Sequence, residues 1–397
     1  MKNFNRIISV IITAAFLVFL LVGASITENK ADHEDTDSDK SDTETSASFN
    51  PYNTTIGISM PSRKLERWNR DGALLKKQFE DRGYQVELIY ADDSYEKQNK
   101  DIQKLMNDHV NLLVIAAVDA STLTKTLDKA KEAGIPIISY DRLIMNTDAI
   151  SYNVSFNNYV VGKLQGQYIV KALGLTNYDV TRNIEFAEGD ASDNNAALYY
   201  NGEYDVLKPY IDNGNIRVVS GQTDYDKVTT DGWSTANAEK RMKNILKSFY
   251  ADRQRLDAVV CANDSTALGV TRAIDEEYQG RNNVIITGQD GDEENLKNIV
   301  DGKQSMTVFK ALSNEVIVTV DLADEILKGL TPGESLIRNS NWGFKCTYDT
   351  LSYDNGTGAI PSYLLMPTAV TKENMQKVLV DTGYYTVDKD GYLHPAD

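Results

Sequence analysis

From residue 54 onward, short runs rich in apolar and β-branched residues alternate with longer stretches in which apolar positions recur every three or four residues. The short runs fit buried strands and the longer stretches fit amphipathic helices. "TTIGISM" predicts a strand, and "LERWNRDGALLKKQFEDRG" a helix that ends at Gly83. "YQVELIYA", "VNLLVIAAV" and "IPIISYD" predict further strands, separated by the helical stretches "SYEKQNKDIQKLMNDH" and "ASTLTKTLDKAKEAG". The rhythm resumes in the second half, with "RNIEFAEG", "IRVVSGQ", "LDAVVCAND", "NVIITGQD" and "SMTVFK" as strands between helices. Such alternation implies parallel sheets covered by helices on both faces. The pattern therefore predicts an α/β protein of two similar, doubly wound parallel-sheet lobes, followed by an irregular tail with β character.

In open parallel sheets, ligands bind beyond the carboxyl ends of the strands. The residues at those ends are 61–68, Asp119, Asp141 and Arg142, 188–195, Gln222, Asn263 and Asp264, Gln289 and Asp290, and Lys310. Most are Asp, Asn, Gln, Arg or Lys, whereas strand ends that only meet solvent would carry more Gly, Ser and Pro. "IPIISYDRLI" poses the question most sharply, because a buried strand finishes in two adjacent opposite charges. A structural ion pair and a grip on a polar ligand both explain it. Sugars suit this inventory: carboxylates accept from ring hydroxyls, Arg and Lys donate to the same oxygens, and aromatic rings cover the apolar faces. Trp68 and Trp233 stand near strand or helix ends, where core packing is the competing explanation.

Composition narrows the function classes. A net charge of −17 argues against nucleic acid, since phosphate binding needs clustered Lys and Arg. Only three histidines occur, His33, His109 and His394, and none lies beside a nucleophile at a strand end, which disfavours Ser–His or Cys–His catalysis. No phosphate-loop, dinucleotide or nucleophile-elbow motif is present. The chain is therefore read as a non-enzyme with no catalytic residues, no cofactor and no metal, although glycoside-cleaving carboxylate pairs depend on fold geometry and stay open. Two cysteines, Cys261 and Cys346, leave a single disulfide open, with Cys261 expected in a core. At the start, "MKNFNR" precedes an uncharged apolar run over residues 7–26, which fits either a signal peptide or a membrane anchor and places the rest outside the cytoplasm. Residues 27–51 are acidic and nearly free of apolar side chains, as in a solvated tether.

"ERWNRDG", "LLVIAAVD", "IISYDRLI", "SFNNYVVGKLQG", "SDNNA", "VLKPYID", "ITGQDGD", "MTVFK" and "PSYLLMPTAVTKEN" occur in order from about residue 54 to the C-terminus. In these motifs the chain resembles the bacterial type 1 periplasmic sugar-binding proteins, the solute receptors of ABC importers, and most of all their xylose-binding and multiple-sugar-binding branch. The resemblance implies two lobes joined by a three-strand hinge, with a monosaccharide (of the xylose, glucose, galactose or arabinose type) bound between them. It assigns residues 52–156 and 311–343 to the N-terminal lobe, and 157–310 and 344–397 to the C-terminal lobe. It implies sugar-binding roles for Arg67, Trp68, Asp141, Arg142, Asp193, Asn195, Trp233, Asn263, Asp290 and Lys310, with Asp264 and Gln289 as weaker candidates. The implied partners are the permease subunits of an ABC importer. The chain lacks the lipid-attachment cysteine usual in Gram-positive members, which motivates an alternative: a membrane-anchored sugar sensor that signals to a histidine kinase. Contact with a membrane is expected only through the N-terminal segment or the importer.

Overall fold

The computed structural model describes residues 49–176 and 180–396. The apolar run and nearly all of the acidic tether lie outside the described residues. The first lobe follows the predicted alternation: β1 (Thr55–Met60), α1 (Glu66–Asp81), β2 (Gln85–Tyr90), α2 (Tyr95–Asn107), β3 (Leu112–Ile115), α3 (Thr124–Glu132), β4 (Ile137–Tyr140) and β5 (Tyr152–Phe156). The second lobe contains α4 (Asn158–Leu173), β6 (Arg182–Ala187), α5 (Asn194–Asp212), β7 (Ile216–Val218), the short α6 (Tyr225–Val228), α7 (Thr235–Phe249), β8 (Ala258–Cys261) and α8 (Asp264–Glu277). It continues through β9 (Ile285–Ile286), β10 (Gln289–Asp290), α9 (Glu293–Asp301) and β11 (Met306–Phe309).

The strands read as continuous apolar runs because both faces of each sheet are covered. In β3, Leu112 and Val114 pack toward α1, while Leu113 and Ile115 pack toward α2 and α3. The second lobe repeats this. Phe186 and Val260 meet Ile169 and Leu207 on one face, and Val259 and Cys261 meet Ile245 and Val270 on the other. Cys261 is thus a core residue, and both cysteines are free thiols. Helices α4 and α5 approach backbone to backbone. A Cβ at Gly162 would overlap the Tyr199 carbonyl, and one at Gly202 would overlap that of Tyr159. Glycine at the contact lets α5 lie close, which sets where its N-terminal end points.

The chain crosses between lobes three times. It crosses after β5 into α4, after β11 into α10 (Leu312–Leu327), which packs on α1, and near the end between β13 (Ser362–Leu365) and β14 (Thr368–Thr371). The last crossing corrects the expected boundary. Residues 344–365 do not belong to the C-terminal lobe: after α11 (Glu334–Asn339), β12 (Cys346–Asp349) pairs with β13, and β13 runs parallel to β5 of the first sheet. The cause is burial, since Tyr363, Leu364 and Leu365 fill the free edge of β5. Strand β14 then runs antiparallel to β11 in the second lobe. A C-terminal hairpin of β15 (Tyr385–Val387) and β16 (Leu393–Pro395) packs near α9. Its Tyr385 hydroxyl accepts from Arg70 on α1 at 3.2 Å and donates to the Gly291 carbonyl at 2.5 Å, bridging both lobes.

Candidate ligand site between the lobes

Both parallel sheets aim their carboxyl ends at the gap between the lobes, so the polar strand-end residues meet there. A chamber of about 380 Å³ of empty space lies in the gap. It is lined by Arg67, Trp68, Asp141 and Arg142 from the first lobe, and by Asp193, Trp233, Asn263 and Asp290 from the second.

Asp141 sits one residue past β4 with a left-handed backbone, φ 58°. Its carbonyl accepts from Ser155 Oγ at 2.7 Å and from Asn195 Nδ2 at 3.0 Å, and its Oδ2 accepts from Arg67 Nη2 at 2.6 Å and Lys310 Nζ at 3.0 Å. Burial alone would raise this carboxyl, but Arg67 and Lys310 outweigh burial and hold it well below the usual carboxylate range. Asp141 is therefore a fixed, ionised acceptor. Trp233 (φ 53°) and Asp290 (φ 107°) also have left-handed backbones. Three non-glycine residues of this kind in one chamber is the clustering of backbone strain expected at functional sites.

Arg67 lies in the first turn of α1, not in the preceding loop. Its guanidinium is ringed by carboxylates: Asp71 at 3.1 Å, Asp141 at 2.6 Å, Glu315 at 3.3 Å and Asp290 at 3.5 Å. Burial would lower its pKa, but these anions raise it well above the usual value. Burial pushes Asp71 and Glu315 up toward their neutral forms, against the pull of Arg67. Arg142 forms an ion pair with Asp193 across the cleft at 2.8 Å and donates to the Ala117 carbonyl at 2.9 Å. Both guanidiniums lie over the Trp68 ring, Arg67 at 4.7 Å and Arg142 at 5.0 Å from its centre, which fixes the ring by cation–π contact.

On the second lobe, helix N-termini supply the site. Asp193 caps α5 by accepting from Asn195 N at 3.0 Å. Asn263 caps α8 by accepting from Thr266 N at 3.0 Å. The Trp233 ring lies on Gly189, where any Cβ would overlap it, and meets Tyr199 edge-on at 6.2 Å. Its Nε1 is buried with no hydrogen-bond partner among the described residues, as are Gln289 Oε1 and Asp292 Oδ1.

Two expected contact residues stand one layer back. Lys310 and Asn195 do not line the chamber, and instead both bond to Asp141. Asp264 is also set back. Its carboxylate accepts from the Gly291 and Asp292 amides at 2.9 Å, shaping the loop that carries Asp290. Burial and nearby Asp290 push it up to about 7. Gln289 does line the chamber. Sequence reading missed Tyr199, Ser265 and Asp292, and did not single out Leu65 within the 61–68 stretch. Tyr199 was within reach, because it follows Asn195 by four residues on α5 and so shares its face. Among the described residues, no group of three or more His, Cys, Asp or Glu is placed to hold a metal.

A family model described as "Periplasmic binding protein domain" matches residues 56–331. The chain belongs to the periplasmic binding protein family. It is 40% identical over 335 residues, 84% of this chain and 90% of the relative, to the multiple sugar-binding periplasmic protein SbpA of Azospirillum brasilense. It is 33% identical to the D-xylose-binding periplasmic protein of Escherichia coli K12, over 83% of this chain and 90% of that protein. A crystal structure of an ABC transporter solute-binding protein from Clostridium phytofermentans with bound β-D-glucose is similar, with a TM-score of 0.79 and 45% identity over 85% of this chain and 99% of that one. A periplasmic binding protein of this kind is a receptor rather than an enzyme, and it works outside the cytoplasm. Among the described residues, no helix is long and apolar enough to cross a membrane.

Proposed function

We propose that the chain binds a monosaccharide of the xylose, glucose, galactose or arabinose type between its lobes and delivers it to an ABC importer. One observation carries the reading: charged acceptors and donors on one wall and an aromatic ring with amide groups on the other converge on a single small chamber. Asp141 accepts from ring hydroxyls, Arg142 and the remaining Arg67 N–H donate, and Asn263, Gln289 and Asp290 complete the polar contacts. Trp233 covers an apolar face of the ring. The names of the relatives, multiple sugars, D-xylose and glucose, point to the same ligand class.

The mechanism is a clamp. The described conformation has the lobes joined by Arg142–Asp193, Arg67–Asp290 and an Ala120 N to Ser192 O bond of 3.1 Å. A sugar that contacts both walls favours this closed form over an open one, and the importer reads the closed surface. A thermal-shift screen over xylose, glucose, galactose, arabinose and ribose tests the reading. A tight ligand raises the melting temperature by mass action, and no shift with any of them counts against it. Signalling to a histidine kinase instead of import rests on retention of residues 7–26. Sequencing the N-terminus of the protein from cells tests this: a start near Ser25 indicates release, and an intact Met1 an anchor.

A further inference from the structure

Several strand-end residues have no place in the inner chamber: Pro61 and Ser62 after β1, Asp119 after β3, and Asp190 and Ser192 after β6. They gather around a second, outer chamber of about 630 Å³ of empty space. It shares Leu65, Trp68, Arg142 and Trp233 with the inner one, so those four side chains stand between the two spaces. Both lobes wall it. Asp93, Tyr95 and Asp119 come from the first, Asp190, Ser192 and Gly232 from the second.

The chemistry of the outer chamber repeats that of the inner one. Asp119 Oδ1 accepts from Ser121 N at 2.8 Å, which leaves Oδ2 without a protein donor among the described residues. Asp93 Oδ2 pairs with Lys64 at 2.9 Å, and its other oxygen is likewise free. Tyr95, in the first turn of α2, keeps 45% of its surface exposed at the rim. Such a ring offers a flat apolar platform with a polar tip. Trp233 lines both spaces and carries an unpartnered Nε1 donor. By contrast, Asp190 is satisfied by Ser192 and by the Gly232 amide, and so acts as a brace for the wall.

We propose that the outer chamber is a second sugar subsite, so that the chain takes a disaccharide or glycoside with one ring in the inner chamber and the next against Tyr95. The inference rests on the monosaccharide reading of the inner chamber and extends it. A ligand of this length still touches both lobes, and so still favours closure.

Calorimetry with the full chain tests it, using glucose, methyl β-D-glucopyranoside, cellobiose and maltose, and xylose with xylobiose. Homodisaccharides present the same sugar at both ends, so either end can enter. At least one is expected to bind within about tenfold of its monosaccharide. Tyr95→Ala and Asp119→Asn, both at exposed or half-buried positions, are expected to weaken that disaccharide by about tenfold while leaving the monosaccharide within about twofold. Monosaccharide binding with no disaccharide binding overturns the subsite and leaves the inner site standing. Equal losses for both ligands in both variants also overturn it. Failure of every sugar removes the inner-site reading as well.

Discussion

On the first lobe's wall, Arg67 commits Nε, Nη1 and Nη2 to four carboxylates, and Asp141 is held by Arg67, Lys310, Ser155 and Asn195. On the second lobe's wall, Trp233 Nε1, Gln289 Oε1 and Asp292 Oδ1 are buried with no hydrogen-bond partner among the described residues, Asp292 Oδ1 facing only Arg70 at 3.7 Å. Asp290 holds its neighbours only loosely, at 3.5 Å to both Arg67 and Asn263. One wall is dominated by an ionic lattice that is in place before any ligand arrives, although Arg142 Nε and Glu315 Oε1 are themselves buried without a hydrogen bond among the described residues. The other has unfilled polar valences that a ligand can complete. Preorganised charge on one side limits reorganisation on binding, and unsatisfied groups on the other make closure worthwhile only when the ligand is present.

Damage to the first wall should harm both folding and binding, while loss of the unpaired polar groups of the second should harm binding more than folding. The largest effect is expected from Asp141→Ala, which leaves buried Lys310 without a carboxylate and removes the shortest of the four pairs around Arg67. Breaking a buried pair costs about 3–5 kcal/mol, so this variant should melt well below the parent and show no measurable sugar binding by calorimetry. Trp233→Ala comes next: sugar affinity should fall by about tenfold or more, and because the ring is buried in a core cluster the variant should also lose stability, by about 3–5 kcal/mol. Gly189→Ala sharpens the point, because the new methyl displaces the Trp233 ring while leaving its indole intact. It should reproduce most of the Trp233 defect, and normal affinity in this variant would remove Gly189 as the seat of the ring.

Acid–base behaviour separates the walls further. The depressed Asp141 carboxyl stabilises the fold at pH above its ordinary value near 3.8, and that contribution is lost as pH falls below it. Behind the second wall, Glu188 is buried beside Glu203, and burial pushes it up from 4.5 to about 7. A native acid that binds its proton more tightly than the unfolded chain stabilises most at low pH. Its contribution is complete below pH 4.5 and gone above about pH 7. Urea unfolding midpoints should therefore decline across that window, and Glu188→Gln should flatten the decline. The smallest effect belongs to Tyr385→Phe, which loses a bond to Gly291 and one from Arg70, at a cost of about 1 kcal/mol by denaturation and little change in affinity.

The alternation of strands and helices was legible because both sheets are covered on both faces, which writes each strand as an apolar run. The site owed more to the resemblance than to the pattern: eight of the ten residues assigned on resemblance line the chamber, including the strand-end pair Asp141 and Arg142. The rest depended on non-local pairing. Glu315 meets Arg67 across 248 positions of sequence, and no local pattern announces such a contact. The run "PSYLLMPTAVT" holds two short strands on either side of a crossing, and only the free edge of β5 decides which lobe receives the first. Lys310 and Asn195 carry the same polar signature as the lining residues, and only burial depth separates support from contact.

A crystal structure grown with the sugar that gives the largest thermal shift is the most direct measurement. Density for one ring is expected in the inner chamber, with hydroxyls on Asp141 and Arg142 and a face against Trp233. A sugar resting on one lobe alone, or elsewhere on the surface, would contradict a clamp closed by its ligand.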